Sequence, residues 1–149
     1  MFTKYLDHYE VGETWVSRGR TITEADIVHF AGLSGDWFPL HTDKEYAAKT
    51  PFQERIAHGL LVLSVASGLY QFGVGIVIAL YGMENVRFTN PTFIGDTIHL
   101  ENKVLSVEEK PGDRGVVTVL QEIKKQTGEL VCTCTLKIMV KKAALVEVE

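Results

Sequence analysis

The stretch SGDWFPLHTDKEYAA, residues 34–48, sets an acid, Asp36, five residues before an imidazole, His41. A carboxylate and an imidazole brought to one water molecule can take up one proton and return another near neutral pH. Gly35 permits a tight turn just before the acid. Pro39 fixes φ between the two groups and predicts a loop that does not run on as a helix. Taken alone, the same spacing also fits a helix cap beside a surface imidazole. The elements around the pair must decide between chemistry and structure.

Ahead of the pair, TITEADIVHFAGLSG predicts a short helix capped by Thr23, with Asp26 three residues on. Ile27, Phe30 and Ala31 share one side of it, and Gly32 or Gly35 ends it. Behind the pair, no Asp, Glu, Lys or Arg occurs from Ile56 to Met83. That length could cross a bilayer. His58, Gln71, two serines and five glycines interrupt the run, however, and no basic clusters flank it. The run predicts instead a helix from about Arg55 to Phe72, apolar nearly all round because other structure wraps it. A glycine turn and a buried strand, IVIALYGMENVRF, follow.

The wrapping structure is visible further on. In DTIHLENKVLSVEEK, Ile98, Leu100, Asn102 and Val104 fall on one face, and His99, Glu101 and Lys103 on the other. KPGDRG then leads to VVTVLQEIKK, and QTG to ELVCTCTLKIMVKK, which predicts an antiparallel meander. Alternation sends Cys132 and Cys134 to the same face as Leu136, Ile138 and Val140, as free thiols in the core. No further Cys or His at ligand spacing accompanies them, so no metal site is predicted. The terminal KKAALVEVE reads as a frayed or edge segment. The sum is one α+β domain over residues 1–149, a curved antiparallel sheet wrapped around a long apolar central helix. Its 46% hydrophobic content suffices for a single core.

The net charge of -4 comes without any Lys/Arg cluster interleaved with aromatics, which argues against a nucleic-acid partner. No GxSxG elbow or GxxxxGK loop is present. The first residues, MFTKYLDHYEVGETW, lack the apolar core of a secretory signal and predict a cytoplasmic address without membrane attachment.

FAGLSGDWFPLHTDKEYA, followed by IAHGLL and then VRFTNPTFIGDTIHL, resembles the MaoC-like dehydratases, the hot-dog-fold group that includes the (R)-specific enoyl-CoA hydratases. The resemblance runs from roughly Val11 to Lys141. It implies that Asp36 and His41 activate a water for addition to the double bond of a trans-2-enoyl thioester. It also implies that the Gly59 backbone N–H, at the start of the apolar helix, receives the thioester carbonyl oxygen. Physical chemistry supports that placement, because helix N-termini offer free N–H groups where enolate-like charge develops. An acyl-CoA thioester is the implied partner, with no cofactor and no metal. Trp37, Phe38 and Leu40 would line an acyl pocket, Ser64 would offer a hydrogen bond there, and His58 would support the site rather than carry a proton. Hot-dog domains of this kind join their sheets into dimers, so a homodimer or higher homo-oligomer is implied. Phe38 stands where the family usually carries asparagine, which implies altered support of the pair or a reshaped pocket. Two other readings remain open: a hot-dog acyl-CoA thioesterase, and a non-catalytic acyl-thioester-binding subunit.

Overall fold

The computed structural model describes residues 1–143. Three long strands, β4 (Thr97–Lys110), β5 (Arg114–Lys125) and β6 (Leu130–Lys141), pair antiparallel in succession. Their hairpins turn on residues in the left-handed region: Gly112 and Asp113 in the first, Gly128 in the second. The sheet is completed by β1 (Thr14–Val16) and β2 (Arg20–Thr21) against β4, and by β3 (Val77–Phe88) against β6. The path is thus β1-β4-β5-β6-β3, with β3 on an edge. Register shifts in β3, and one between Val104 and Ser106 in β4, are the bulges that let so long a sheet curve.

The predicted alternation holds in β4 and β6. Ile98, Leu100, Asn102 and Val104 are buried, as are Cys132, Cys134, Leu136, Ile138 and Val140. Both cysteines are free thiols, and burial pushes the Cys132 thiol up to about 12. A short helix, α1 (Glu24–Ser34), begins on the predicted capping box. The Thr23 hydroxyl accepts the Asp26 N–H, and the Asp26 carboxylate accepts the Thr23 N–H. Residues 144–149, most of the segment read as frayed or edge, lie outside the described residues.

The apolar run departs from its prediction in three respects. Its helix, α4 (Gly59–Ser67), is shorter than expected at both ends. At the front, Ile56 pairs with Phe93, and the Ala57 N–H bonds the Thr92 carbonyl at 2.8 Å. These bonds hold the chain extended up to His58. At the back, the Gly68 N–H turns onto the Val65 carbonyl, and the chain leaves the helix. The helix is also not wrapped all round. Leu61, Val62 and Ala66 pack on Ile98, Leu100, Ile123 and Cys132, whereas Leu60, Ser64 and Ser67 form an exposed stripe. Finally, β3 is not buried: Leu80 and Tyr81 are 57% and 55% exposed, because an edge strand has a neighbour on one side only. Among the described residues no helix is long and apolar enough to cross a membrane.

One buried charge network fixes the segment between β3 and β4. The Lys125 ammonium, 7% exposed, bridges Asp96 at 3.1 Å and Glu129 at 2.9 Å, and lies over the Phe93 ring. Asp96 also accepts the Phe93 N–H at 2.8 Å. Burial opposes ionisation of Asp96, but these bonds and that from Gln126 outweigh it and hold its carboxyl below the usual range. Removing the cation alone would leave a buried carboxylate without its partner. The Lys125→Met variant is therefore expected to lose about 3 kcal/mol of stability in urea unfolding monitored by circular dichroism.

Candidate active site

Three side chains converge where α1 ends. Gly35, at φ 77°, takes the left-handed C-cap position and reverses the chain. The Ser34 hydroxyl donates to the Phe30 carbonyl and accepts the Asp36 N–H at 3.2 Å. Asp36 in turn accepts the Phe38 N–H on its carboxylate at 3.1 Å, closing an Asx turn. Pro39 then begins a helix instead of forbidding one. It occupies the first position of the single-turn α2 (Pro39–Thr42), where the missing N–H costs nothing, and this turn carries His41. A second single-turn helix, α3 (Lys44–Ala47), follows on an Asp43 cap. Neither short helix has enough apolar periodicity to be read from sequence.

Two imidazoles are tied to main-chain carbonyls. His41 Nδ1 lies 2.7 Å from the Ile56 carbonyl, which can only accept, so the proton sits on Nδ1 and a neutral ring keeps its lone pair on Nε2. His58 Nε2 donates to the Asp36 carbonyl at 2.9 Å. The His41 and His58 rings stack at 3.8 Å, tilted by 28°, and Phe30 packs against His58 at 4.9 Å. Asp36 is exposed, His41 half-buried and His58 only 3% exposed. Burial lowers the His41 pKa below its ordinary value; the neighbouring His58 adds to this, while the Ile56 bond and Asp36 oppose it. His41 is thereby set as a base.

Side-chain ligand atoms of Asp36, His41 and His58 lie within 4.8 Å of one another. Stacked rings send their in-plane lone pairs along nearly parallel planes, not toward one point. That suits metal coordination poorly and proton transfer at Asp36 and His41 well.

Beside His41 opens a mostly apolar cavity of about 450 Å³, lined by Phe52, Ile56, Gly59, Leu60, Phe88 and the segment Thr89–Thr92, among others. Gly59 is the first residue of α4, so its N–H has no intrahelical acceptor. Its missing side chain also matters, because a Cβ there would meet the Phe88 ring at 2.8 Å. The structure thus brings together Asp36, His41, Gly59 and His58, the last outside the cavity lining and behind the pair. The remaining residues named from the sequence lie elsewhere. Trp37 and Phe38 are exposed, with Phe38 edge-on to His41 and Tyr46. Leu40 is half-buried, its carbonyl accepting the Ile56 N–H at 3.4 Å. Ser64 donates to the Leu60 carbonyl and faces a second cavity, of about 370 Å³, beside Arg18 and Arg20. The apolar wall is instead built by Phe52, Ile56 and Leu60, spaced four residues apart, and by Phe88, brought to them from β3. Ile56 and Leu60 stood in the apolar run read as a helix, but nothing in the local pattern marked Phe52 or Phe88 as their partners, and Asn90 and Pro91, which also line the cavity, read as a mere turn.

Comparison with known proteins gives the family and the fold. The MaoC like domain family matches residues 9–127, and the chain belongs to that family. Its curved antiparallel sheet over a helix is the hot-dog fold. It is 35% identical over 109 residues to the (R)-specific enoyl-CoA hydratase of Aeromonas caviae, covering 73% of this chain and 79% of that enzyme. It is 50% identical over 100 residues to Protein MaoC of Klebsiella aerogenes, covering 66% of this chain but only 30% of that protein's length. A solved structure from Archaeoglobus, described as a monoamine oxidase regulatory protein, superposes with a TM-score of 0.88 at 42% identity, covering 96% of this chain and 97% of that one.

The His41 environment yields a measurable expectation. Its folded-state pKa is depressed, so between that value and the ordinary 6.5 the unfolded chain binds more protons than the folded one. The stability associated with His41 is complete above pH 6.5 and is lost as the pH falls through the folded value. NMR titration of the His41 ring should give a midpoint below 6.5, and urea denaturation should show stability falling with acidification across the same interval.

Proposed function

We propose that this protein reversibly adds water to a trans-2-enoyl-CoA, giving a 3-hydroxyacyl-CoA. The observation that carries this reading is that the Asp36 carboxylate lies beside His41, and that His41, with Nε2 free, lines one apolar cavity together with Gly59, whose N–H begins α4. In the forward direction Asp36 and His41 Nε2 hold the water by its two hydrogens. His41 takes one proton as the water oxygen bonds to the β-carbon. The electron pair of the double bond moves to the α-carbon and the thioester oxygen, where the Gly59 N–H stabilises the charge. The imidazolium then returns its proton to the α-carbon, and the carbonyl reforms. The (R)-specific enoyl-CoA hydratase of Aeromonas caviae is among the similar proteins, and the apolar cavity suits an acyl chain.

The test is the loss of enoyl-thioester absorbance when the protein meets crotonyl-CoA, beside Asp36→Asn and a thiol-release assay. Wild type is expected to consume the double bond without releasing thiol, and Asp36→Asn to lose at least about 100-fold in kcat. Release of free CoA would identify a thioesterase instead. Inactivity of both proteins toward short, long and branched enoyl-CoAs would identify a binding subunit.

The assembly we propose is a homodimer joined through β3. Its twelve residues run along a sheet edge with Ile78, Leu80 and Tyr81 exposed, and an edge of that length and apolarity calls for a partner strand. Light scattering is expected to report twice the 16.6 kDa chain mass, and the double variant Leu80→Lys with Tyr81→Lys to report the single mass.

A further inference from the structure

We infer that His58 is the positioning residue of the catalytic pair, gripping Asp36 and His41 at once. The inference rests on the hydration reading above. His58 is 3% exposed and makes no contact with the cavity, so it does not reach a thioester held there. It acts through its neighbours. Its Nε2–H holds the Asp36 main-chain carbonyl at 2.9 Å, which fixes the turn on which the carboxylate stands. Its ring face lies against the His41 ring at 3.8 Å, which fixes the plane of the base and so the direction of the Nε2 lone pair. Phe30 also packs against the His58 ring, with centroids 4.9 Å apart. Chain continuity adds a third link, because His58 is the N-cap of α4 and directly precedes Gly59. One buried ring therefore sets the relative placement of the carboxylate, the base and the carbonyl site.

The support takes this form because Phe38 brings the acid only a main-chain N–H, and its own side chain points to Tyr46 and the edge of His41. The Asp36 turn is otherwise exposed, and His58 is the buried group that bonds it from behind. His58 Nδ1, buried and with no protein partner among the described residues, leaves Nε2 as the hydrogen-bearing nitrogen. The titratable groups that face His41 are His58 and Asp36.

Two substitutions separate the functions of the ring. His58→Phe keeps an aromatic face against His41 and loses the donor to Asp36. His58→Gln loses the face and places an amide N–H where the imidazole Nε2–H was. With crotonyl-CoA as substrate, Phe is expected to lower kcat about 100-fold while KM stays within about twofold, since misplacing a reacting group acts on the chemical step. Gln is expected to recover at least about tenfold of that loss. Both remove the imidazole stacked on His41, and Gln also removes its ring current, so the His41 ring-proton resonances should move in the Gln variant. Thermal unfolding of each variant shows whether the fold is kept. A kcat for His58→Phe near wild type, or a Gln variant as impaired as Phe at equal thermal stability, would overturn the inference. Inactivity of the wild type would sink the hydration reading instead. The His41 resonances then decide alone, and ring-proton shifts unmoved in His58→Gln would refute the contact we assign.

Discussion

The structure turns on the way residues 56–58 are held by residues 92 and 93. The Ala57 N–H bonds the Thr92 carbonyl and Ile56 bridges Phe93, so this short piece of chain is extended although its apolar sequence invites a helix. Three consequences follow. The Ile56 carbonyl is free of any helix and accepts the His41 proton. His58 points back to the Asp36 turn. The helix starts at Gly59 and not a turn earlier, which leaves its first N–H beside the cavity. The buried Lys125–Asp96 pair secures the far side of this pairing, because Asp96 also holds the Phe93 N–H. A charge network in the sheet thereby governs the geometry of a site to which it contributes no reacting group.

The site's electrostatics follow from tying imidazoles to carbonyls rather than carboxylates. A carboxylate behind a histidine would favour the imidazolium; a neutral carbonyl orients the ring at less cost to its basicity. Partial burial of His41 and the neighbouring His58 press further toward the neutral form. The Asp36 carboxylate stands exposed beside His41, open to water.

Two open surfaces, the Leu60–Ser64–Ser67 stripe of α4 and the apolar edge of β3, explain why sequence and single chain disagree about burial. Binary patterning records what is apolar, not which layer covers it. A strand apolar on both faces reads as central, and β3 reads so, yet it lies at the end of the sheet order.

The sequence by itself determined the meander of β4, β5 and β6, the capping box of α1 and the buried pair of thiols, and its family resemblance named Asp36, His41 and Gly59 as candidates. Each rests on local rules, whether strand alternation, a cap three residues from its partner, or a motif on a short loop. Only the tertiary structure decided where α4 begins, that Pro39 opens a helical turn, that Phe52, Ile56, Leu60 and Phe88 form the cavity wall, and that His58 contacts both Asp36 and His41. Those outcomes depend on hydrogen bonds and contacts between segments some 15 to 36 residues apart, such as His41 to Ile56 and Ala57 to Thr92. Local propensity carries no record of such pairings, and where they compete with it for the same backbone groups, they prevail.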